Sequence, residues 1–376
     1  MNISLSLPEM AQKEPLRILF LTFQGDLAGS TQSIAFLSKG LADKGHKIYV
    51  GIRKESLLWS LLEGSKVERI AMTFGGKFDF NNWRDIRNTV KRYQIQIINP
   101  QSSIDRYTSI FSKWRFNLQT KIIHTRRQMP LSAGGPLQLY LYNKRTDGIV
   151  AVSNEVAKGL KKLGIKEPNI KVLYNGTPKE KYDQIDPQKS ENLKKEIGIG
   201  EGDYVIGCVS RMKNQIQIIK ALALIKQPVR MIFCGIEATQ EMEEIIGNYE
   251  TPHQVHFIGR VPSDEVLNYY QLFNLKVLAS IMEGLSQSLL EAMALGVPVI
   301  ATAYAGNLDL IQDGQNGLLF EDGNIESLAQ KIEALRHSTE MRQKLSAAGK
   351  EIALEKFSIE NTVSNYENYF YEQVEN

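Results

Sequence analysis

Residues 16–23 read LRILFLTF, a nearly unbroken apolar run. It is too short to cross a membrane, and it lacks the alternation of a strand with one wet face, so it marks a strand covered on both sides. Such a strand needs helices above and below it, which commits the chain to a parallel sheet wound by crossover helices. The following sequence fits that commitment. A helical pattern over Ser30–Ala42 leads through Gly45 to KIYVGI. Helices around Asn82–Tyr93, Asp105–Asn117, Leu137–Lys144 and Asn154–Leu163 then lead to IQIINP, KIIHT, DGIVAVS and KVLYN.

The polar stretch NGTPKEKYDQIDPQKS (175–190), with two prolines, reads as a linker. Beyond it the alternation resumes. YVIGCVS, VRMIFCG, HQVHFIG, LKVLAS, VPVIAT and GLLF are the strands, with helices over Asn214–Ile225, Thr239–Tyr249, Ser263–Tyr270 and Ser286–Leu295 between them. Late helices cover Ile325–Arg336, Glu340–Lys356 and Ile359–Tyr369. A chain of 376 residues exceeds what one hydrophobic core usually serves. The expected organisation is a flexible leader (1–15) and two doubly wound α/β domains, 16–178 and 187–356, facing each other across a cleft. In open α/β sheets ligands bind outside the carboxyl ends of the strands, so the loops there are where chemistry belongs.

The net charge of +3 conceals an asymmetry: residues 1–180 carry 28 Lys+Arg against 14 Asp+Glu, and the remainder carries 17 against 28. The two halves therefore suit different partners. Basic and aromatic residues interleave in RDIRNTVKRY (84–93) and DRYTSIFSKWRFNLQTK (105–121). At helical spacing Ile110 and Trp114 share an apolar face flanked by Arg106, Lys113 and Arg115, which suits an anionic membrane leaflet or a lipid-diphosphate acceptor. No nucleic-acid partner is expected. No run is long enough to span a bilayer, and the first residues lack the pattern of a secretory signal. Cys208 and Cys234 sit in separate strand-like runs, as buried thiols in a reducing compartment would, and lack metal-site spacing. The expected location is the cytoplasm, with peripheral attachment to the cytoplasmic face of the inner membrane.

The stretch MEGLSQSLLEAMALGVPVIAT (282–302) concentrates the chemistry. Glu283 stands in a loop, Gly284 clears room for a ligand to approach the backbone, and a helix opens at Ser286 with Glu291 inside it. A helix N-terminus offers unpaired N–H groups and partial positive charge to phosphate, while carboxylates accept hydrogen bonds from sugar hydroxyls. Two polyol parts bridged by phosphate would fit that arrangement. Together with AGNLDLIQDGQNGLLFEDGN and ESLAQKI downstream, the stretch resembles the retaining glycosyltransferases of family 4, which have the GT-B fold of two Rossmann-like domains. TDGIVAVSNEVAKGL, LYNG, HFIGRVPSDEVLNYYQLFNLKVLAS and LADKGHKIYV extend the resemblance over most of the chain.

The resemblance implies a role for each matching residue. Glu283 would contact donor-sugar hydroxyls, and Glu291 would hold the ribose diol. Gly284, Leu285, Ser286, Gln287 and Ser288 would line the sugar and diphosphate, and the turn from Ile258 to Val261 would read the nucleobase. Arg211 and Lys213 would neutralise the departing diphosphate, the role of fixed cations in a transition state that gains negative charge. The family's arginine and lysine stand several residues apart, whereas RMKNQ separates them by one. After the first strand, Gly29 and Ser30 would cradle phosphate or the acceptor, where the family has two adjacent glycines. In KIIHTRRQMP, Arg127 takes the place of a family histidine and would meet donor or acceptor phosphate, with His124 and Arg126 on the acceptor side. The last helix (359–376) would cross back onto the first domain.

The resulting expectation is a retaining, metal-independent transferase with no cofactor. It would move a hexose-type sugar from a nucleotide sugar donor to a glycan or lipid-linked acceptor in polysaccharide, lipopolysaccharide or glycolipid synthesis. No Asp-x-Asp metal motif is present. A non-catalytic partner with a decayed donor site and a nucleotide-sugar epimerase of the same fold are the alternatives. A nicotinamide dehydrogenase would need a G-x-G-x-x-G after a strand, and none occurs.

Overall fold

The computed structural model describes residues 13–23, 25, 29–128, 135–262 and 265–375. Most of the expected leader (1–12), Ser263 of an expected helix and the end of KIIHTRRQMP lie outside the described residues. The first sheet contains β1 (Arg17–Leu21), β2 (Lys47–Ile52), β3 (Glu68–Ala71), β4 (Ile97–Pro100), β5 (Lys121–Arg126), β6 (Gly148–Ala151) and β7 (Ile170–Val172). Its order is β3-β2-β1-β4-β5-β6-β7, with every pair parallel. Around it wind α1 (Gly29–Asp43), α2 (Leu57–Leu61), α3 (Phe80–Tyr93), α4 (Ser103–Phe116), α5 (Gly135–Lys144) and α6 (Asn154–Lys162). Ile18, Leu19, Phe20 and Leu21 are fully buried, as a strand covered on both faces must be.

The second sheet contains β8 (Val205–Val209), β9 (Arg230–Cys234), β10 (Gln254–Phe257), β11 (Leu275–Leu278), β12 (Val299–Thr302) and β13 (Leu318–Phe320). They lie in the order β10-β9-β8-β11-β12-β13, again all parallel. Its helices are α7 (Pro187–Ile197), α8 (Ile216–Leu222), α9 (Gln240–Gly247), α10 (Val266–Tyr270), α11 (Gln287–Ala294), α12 (Asn307–Leu310), α13 (Ile325–His337) and α14 (Thr339–Glu355). The strand order reverses between β1 and β4 in one sheet and between β8 and β11 in the other. Those are the switch points where the crevice opens.

The last helix, α15 (Ile359–Glu375), packs on the first domain: Val363, Tyr366, Tyr369 and Phe370 join the core beneath β1 and β2. The two chain crossings between domains meet at Thr177, whose N–H donates to Phe357 (3.1 Å) and whose carbonyl accepts from Ile359 (3.3 Å). A Cβ on Gly176 would overlap the Ser358 carbonyl, so only glycine lets the two strands lie this close. Cys208 and Cys234 are buried free thiols, and no described helix is long and apolar enough to cross a membrane.

Three sequence readings are corrected. The expected linker over 175–190 ends early, because Pro187 opens α7. Asp186 caps that helix through the amides of Gln188 and Lys189, and proline at the first helical position is compatible with a helix start. The expected helix from Asn214 begins only at Ile216, because Gln215 is bonded into the preceding loop. The expected α4 face is split: Trp114 is 68% exposed, as a membrane-facing residue would be, but Ile110 is buried and Arg106 is wholly buried, stacked on Tyr142.

Candidate active site

The loops after β8 and β11 flank the switch point of the second sheet. The β8 loop, Ser210–Asn214, is shaped by Gln215, which is buried. Its Oε1 accepts from the Lys213 amide (2.6 Å), and its Nε2 donates to Ser210 Oγ (2.8 Å) and the Arg211 carbonyl (2.7 Å). That framework leaves Arg211 exposed and turns Lys213 to the β11 loop, where Lys213 Nζ pairs with Glu283 and approaches the Met282 carbonyl at 3.4 Å. The close Arg211–Lys213 spacing is thus compatible with a lysine at Glu283.

The β11 loop delivers α11. Ser286 is its N-cap and accepts from Leu289 N, and α-helix geometry leaves the amides of Gln287 and Ser288 without an intrahelical acceptor. Gly284 is buried, and a Cβ there would overlap the Arg127 carbonyl oxygen, so the loop runs directly against the end of β5. Leu285 packs into the core on the α10–α11 side of the sheet. Gly306 N donates to the Glu283 carbonyl (3.2 Å), which buttresses the loop from the turn after β12. The start of α1 faces the start of α11: a Cβ on Gly29 would lie 3.1 Å from Gln287 Cγ. Gly29 and Ser30 are therefore the first residues of a helix that begins beside α11, rather than a loop. Gln287 Nε2 is buried with no hydrogen-bond partner among the described residues.

Glu291 is 7% exposed. Tyr270 Oη donates to its Oε2 (3.1 Å), and Lys181 Nζ, from the 3₁₀ helix Lys179–Gln184 of the crossing segment, pairs with its Oε1. The turn after β10 has Ile258 N bonded to Phe233 O (2.9 Å) and Gly259 N to Ile236 O (3.2 Å). The side chains of Ile258 and Val261 pack toward the core, Gly259 is buried with its carbonyl accepting from Gly235 N (2.6 Å), and the Ile258 amide is committed to the sheet.

The first domain contributes differently from expectation. Arg127 does not open its guanidinium to the cleft. Its Nε donates to Gln101 (2.8 Å) and its Nη1 to Asn175 (3.1 Å), and burial holds its pKa below the usual value. What reaches the loop after β11 is its carbonyl. His124 is wholly buried beside Tyr142, with both ring nitrogens unpartnered among the described residues. Burial first, and then Arg106 and Arg126, push its pKa well below the ordinary value, so it is neutral and makes no contact with the cleft. Arg126 donates through Nη1 to Ser103 Oγ (3.2 Å), at the first turn of α4. Next to that turn, Asp105 accepts from Phe23 N (2.8 Å), and its carboxyl is pushed up to about 7, chiefly by burial.

Sequence reasoning missed Lys181, Tyr270, Gln215 and Asp309. Asp309 accepts from Asn154 N (3.1 Å), Asn154 Nδ2 (2.7 Å) and Tyr174 Oη (3.0 Å), which puts a carboxylate of the second domain on the N-terminus of α6 in the first. Asp309 follows the glycine-rich turn that the family pattern includes. Lys181 had no local signal at all.

Residues 27–181 match the family described as Glycosyltransferase Family 4, and residues 189–352 match Glycosyl transferases group 1. EpsD of Bacillus subtilis is 27% identical over 300 residues, spanning 75% of this chain and 77% of that protein. In three dimensions a glycosyltransferase from Rickettsia africae superposes with a TM-score of 0.84 at 22% identity, over 97% of this chain and all of that one. HepE of Anabaena, crystallised with UDP-glucose, superposes with a TM-score of 0.81 at 20% identity, over 95% of this chain and all of its own. With both halves matched in sequence and the two-sheet architecture shared, the chain belongs to glycosyltransferase family 4 and has the GT-B fold.

Proposed function

We propose that the chain moves a hexose-type sugar from a nucleoside diphosphate sugar to a hydroxyl of a glycan or lipid-linked acceptor, retaining anomeric configuration and needing no metal, in cell-envelope polysaccharide or glycolipid synthesis. The observation that carries this reading is the Lys213–Glu283 pair beside the open N-terminus of α11 at the switch point of the second sheet. A diphosphate arriving there meets Arg211, Lys213 and the helix amides. Lys213 can move from carboxylate to phosphate, which frees Glu283 for sugar hydroxyls. The acceptor oxygen then bonds to the anomeric carbon as the bond to the diphosphate breaks. The acceptor proton passes to a phosphate oxygen of the leaving group, on the same face. Fixed cations and amides stabilise the departing charge. Domain closure keeps water from intercepting the sugar.

The test is a thermal-shift panel of UDP, GDP and ADP sugars with EDTA present, led by UDP-glucose because HepE was crystallised with it. NMR of the product from the stabilising donor then follows. One donor that stabilises the protein and yields an α-linked product from an α-linked sugar is expected. Stabilisation without turnover on any acceptor would favour the decayed-partner reading, and an inverted product would overturn retention.

The same proposal places the acceptor at an anionic membrane surface. On the first domain Phe78 (68% exposed), in the turn before α3, and Phe80, Trp114 and Leu137 (72%), on α3, α4 and α5, stand out from the surface. Ring contacts link Phe78 to Phe111, Phe111 to Trp83, and Phe80 to Trp83. Lys77, Arg87 and Arg115 lie over neighbouring rings. Aromatic side chains among cations are the composition that settles at a charged lipid interface. Sedimentation with anionic vesicles at low salt should exceed that with neutral vesicles and should fall in Trp114→Ser. Equal binding to both vesicles would remove the membrane from the proposal.

A further inference from the structure

The crossing segment, whose Lys179–Gln184 form a 3₁₀ helix, grips α11 at two points one helical turn apart. Thr177 Oγ1 donates to Gln287 Oε1 (3.1 Å), and Lys181 Nζ pairs with Glu291 Oε1. Gln287 and Glu291 are i and i+4, so they share a face of α11. The segment itself is fixed to the return crossing at Thr177 and Ser358. The Lys181–Glu291 pair is almost dry, with 12% and 10% of the two side chains exposed.

An ionised carboxylate has about four acceptor positions, two on each oxygen. In Glu291 one position on Oε1 is taken by Lys181 and one on Oε2 by Tyr270. The single Tyr270 O–H is shared between Glu291 Oε2 (3.1 Å) and the Ser288 carbonyl (3.0 Å). One position on each oxygen remains, enough to accept from two hydroxyls on adjacent carbons. A lone surface glutamate would rotate among rotamers, whereas this one is fixed from both ends.

We propose that Lys181 is a positioning residue for the donor: together with Tyr270 it orients the Glu291 carboxylate so that its two remaining acceptor positions meet the vicinal diol of a ribonucleoside. The inference rests on the reading of Glu291 as the ribose contact. It predicts that Lys181, which touches no substrate, controls discrimination between ribose and deoxyribose. A lysine with a purely structural role would weaken every nucleotide alike.

The experiment is calorimetric titration with UDP and 2′-deoxy-UDP, with the GDP and ADP pairs run in parallel. It uses the full chain, Glu291→Gln, Lys181→Met, Lys181→Arg and the double variant Lys181→Met with Glu291→Gln. Wild type should prefer the ribonucleotide by about tenfold or more, the scale of one charged hydrogen bond. Lys181→Met should reduce that ratio toward one mainly by weakening the ribonucleotide, Lys181→Arg should keep most of it, and the double variant should add little to Glu291→Gln. If Glu291→Gln leaves the ratio intact, the ribose reading is wrong and the inference goes with it. If Glu291→Gln collapses the ratio but Lys181→Met does not, or weakens both nucleotides equally, the ribose reading stands and the role of Lys181 is overturned. Should Lys181→Met not fold, Lys181→Gln carries the same comparison.

Discussion

The loop and helix after β11 and the region where β5 ends and α4 begins treat buried charge in opposite ways. In the second domain each carboxylate assigned to the donor has a lysine on it: Lys213 on Glu283 and Lys181 on Glu291. In the first, the charges at the end of β5 and the start of α4 are buried without such partners. None of the three guanidinium nitrogens of Arg106 has a hydrogen-bond partner among the described residues, nor has Asp105 Oδ2 or either nitrogen of His124. Arg106 rests on the ring of Tyr142 (3.5 Å to the centroid) instead. A paired site is pre-organised for a ligand whose charge it will exchange, whereas an unpaired one lowers stability until something compensates it. The contrast teaches that the donor half is built for one kind of substrate chemistry, while the first half holds its charge in the fold itself.

The largest effect expected from this contrast is at the paired end. Glu283→Gln keeps the size of the side chain but removes the charge that holds Lys213. Turnover should fall by about 10²–10³, the range for losing one pre-organised group at developing charge. The unfolding midpoint should change little, because the pair lies at the cleft. Steady-state rates with the stabilising donor, alongside denaturant melts, check both halves of the statement. Full turnover in this variant would show that the pairing is only a surface ion pair and would erase the contrast.

The unpaired end makes a prediction about pH. The Asp105 carboxyl, pushed up to about 7 by burial, would titrate near 3.9 in the unfolded chain. Below about pH 4 both states are protonated and burial costs no ionisation. Between there and pH 7 the folded state keeps a proton that the unfolded state has released, so stability falls as pH rises, and the loss is complete once pH passes the folded value. Asp105→Asn retains the oxygen that accepts from Phe23 N and cannot ionise. It should be more stable than wild type at pH 8 by roughly 2–3 kcal/mol, from about three pKa units less the cost of burying an amide, and the gain should shrink toward pH 5. Urea unfolding at the two pH values reads it directly. A gain independent of pH would mean that Asp105 already has a compensating charge, and the two regions would then be alike.

How much of this was readable beforehand follows from the distance over which each feature is encoded. The strand–loop–helix from β11 to α11 lies within about twenty residues, so Glu283, Gly284, Ser286 and Glu291 carry their geometry in local spacing. Both sheets were legible from buried apolar runs, although β3, with no fully buried residue, passed unnoticed. The partners of the two glutamates were not legible in the same way. Lys213 stood in a loop whose shape depends on Gln215, and Lys181 is 110 residues from Glu291, in a stretch whose polarity spoke only for a linker. Arg106 misled for a physical reason: an arginine on a helix is assumed to be wet, and here the rings of Tyr142, on another helix, and of its neighbour Tyr107 allow it to be dry.

Asp309 falls between the two cases and should give the smallest effect. It is a charge of the second domain with no ion pair within 4 Å among the described residues, yet it is satisfied by the N-terminus of α6 and by Asn154 and Tyr174. Its neighbour feels it: the Tyr174 hydroxyl is pushed up to about 12 by burial first and then by Asp309. An N-terminal helix contact of this sort is worth about 1 kcal/mol, so Asp309→Ala should lower stability by that amount and Asp309→Asn by a few tenths. The contact crosses the cleft, which makes the effect of Asp309→Ala on donor KM the more informative number. If KM rises while kcat holds, the first domain helps to seat the donor loop through α6. If only stability moves, the donor site is organised entirely from within its own domain, and the contrast between the two regions becomes sharper.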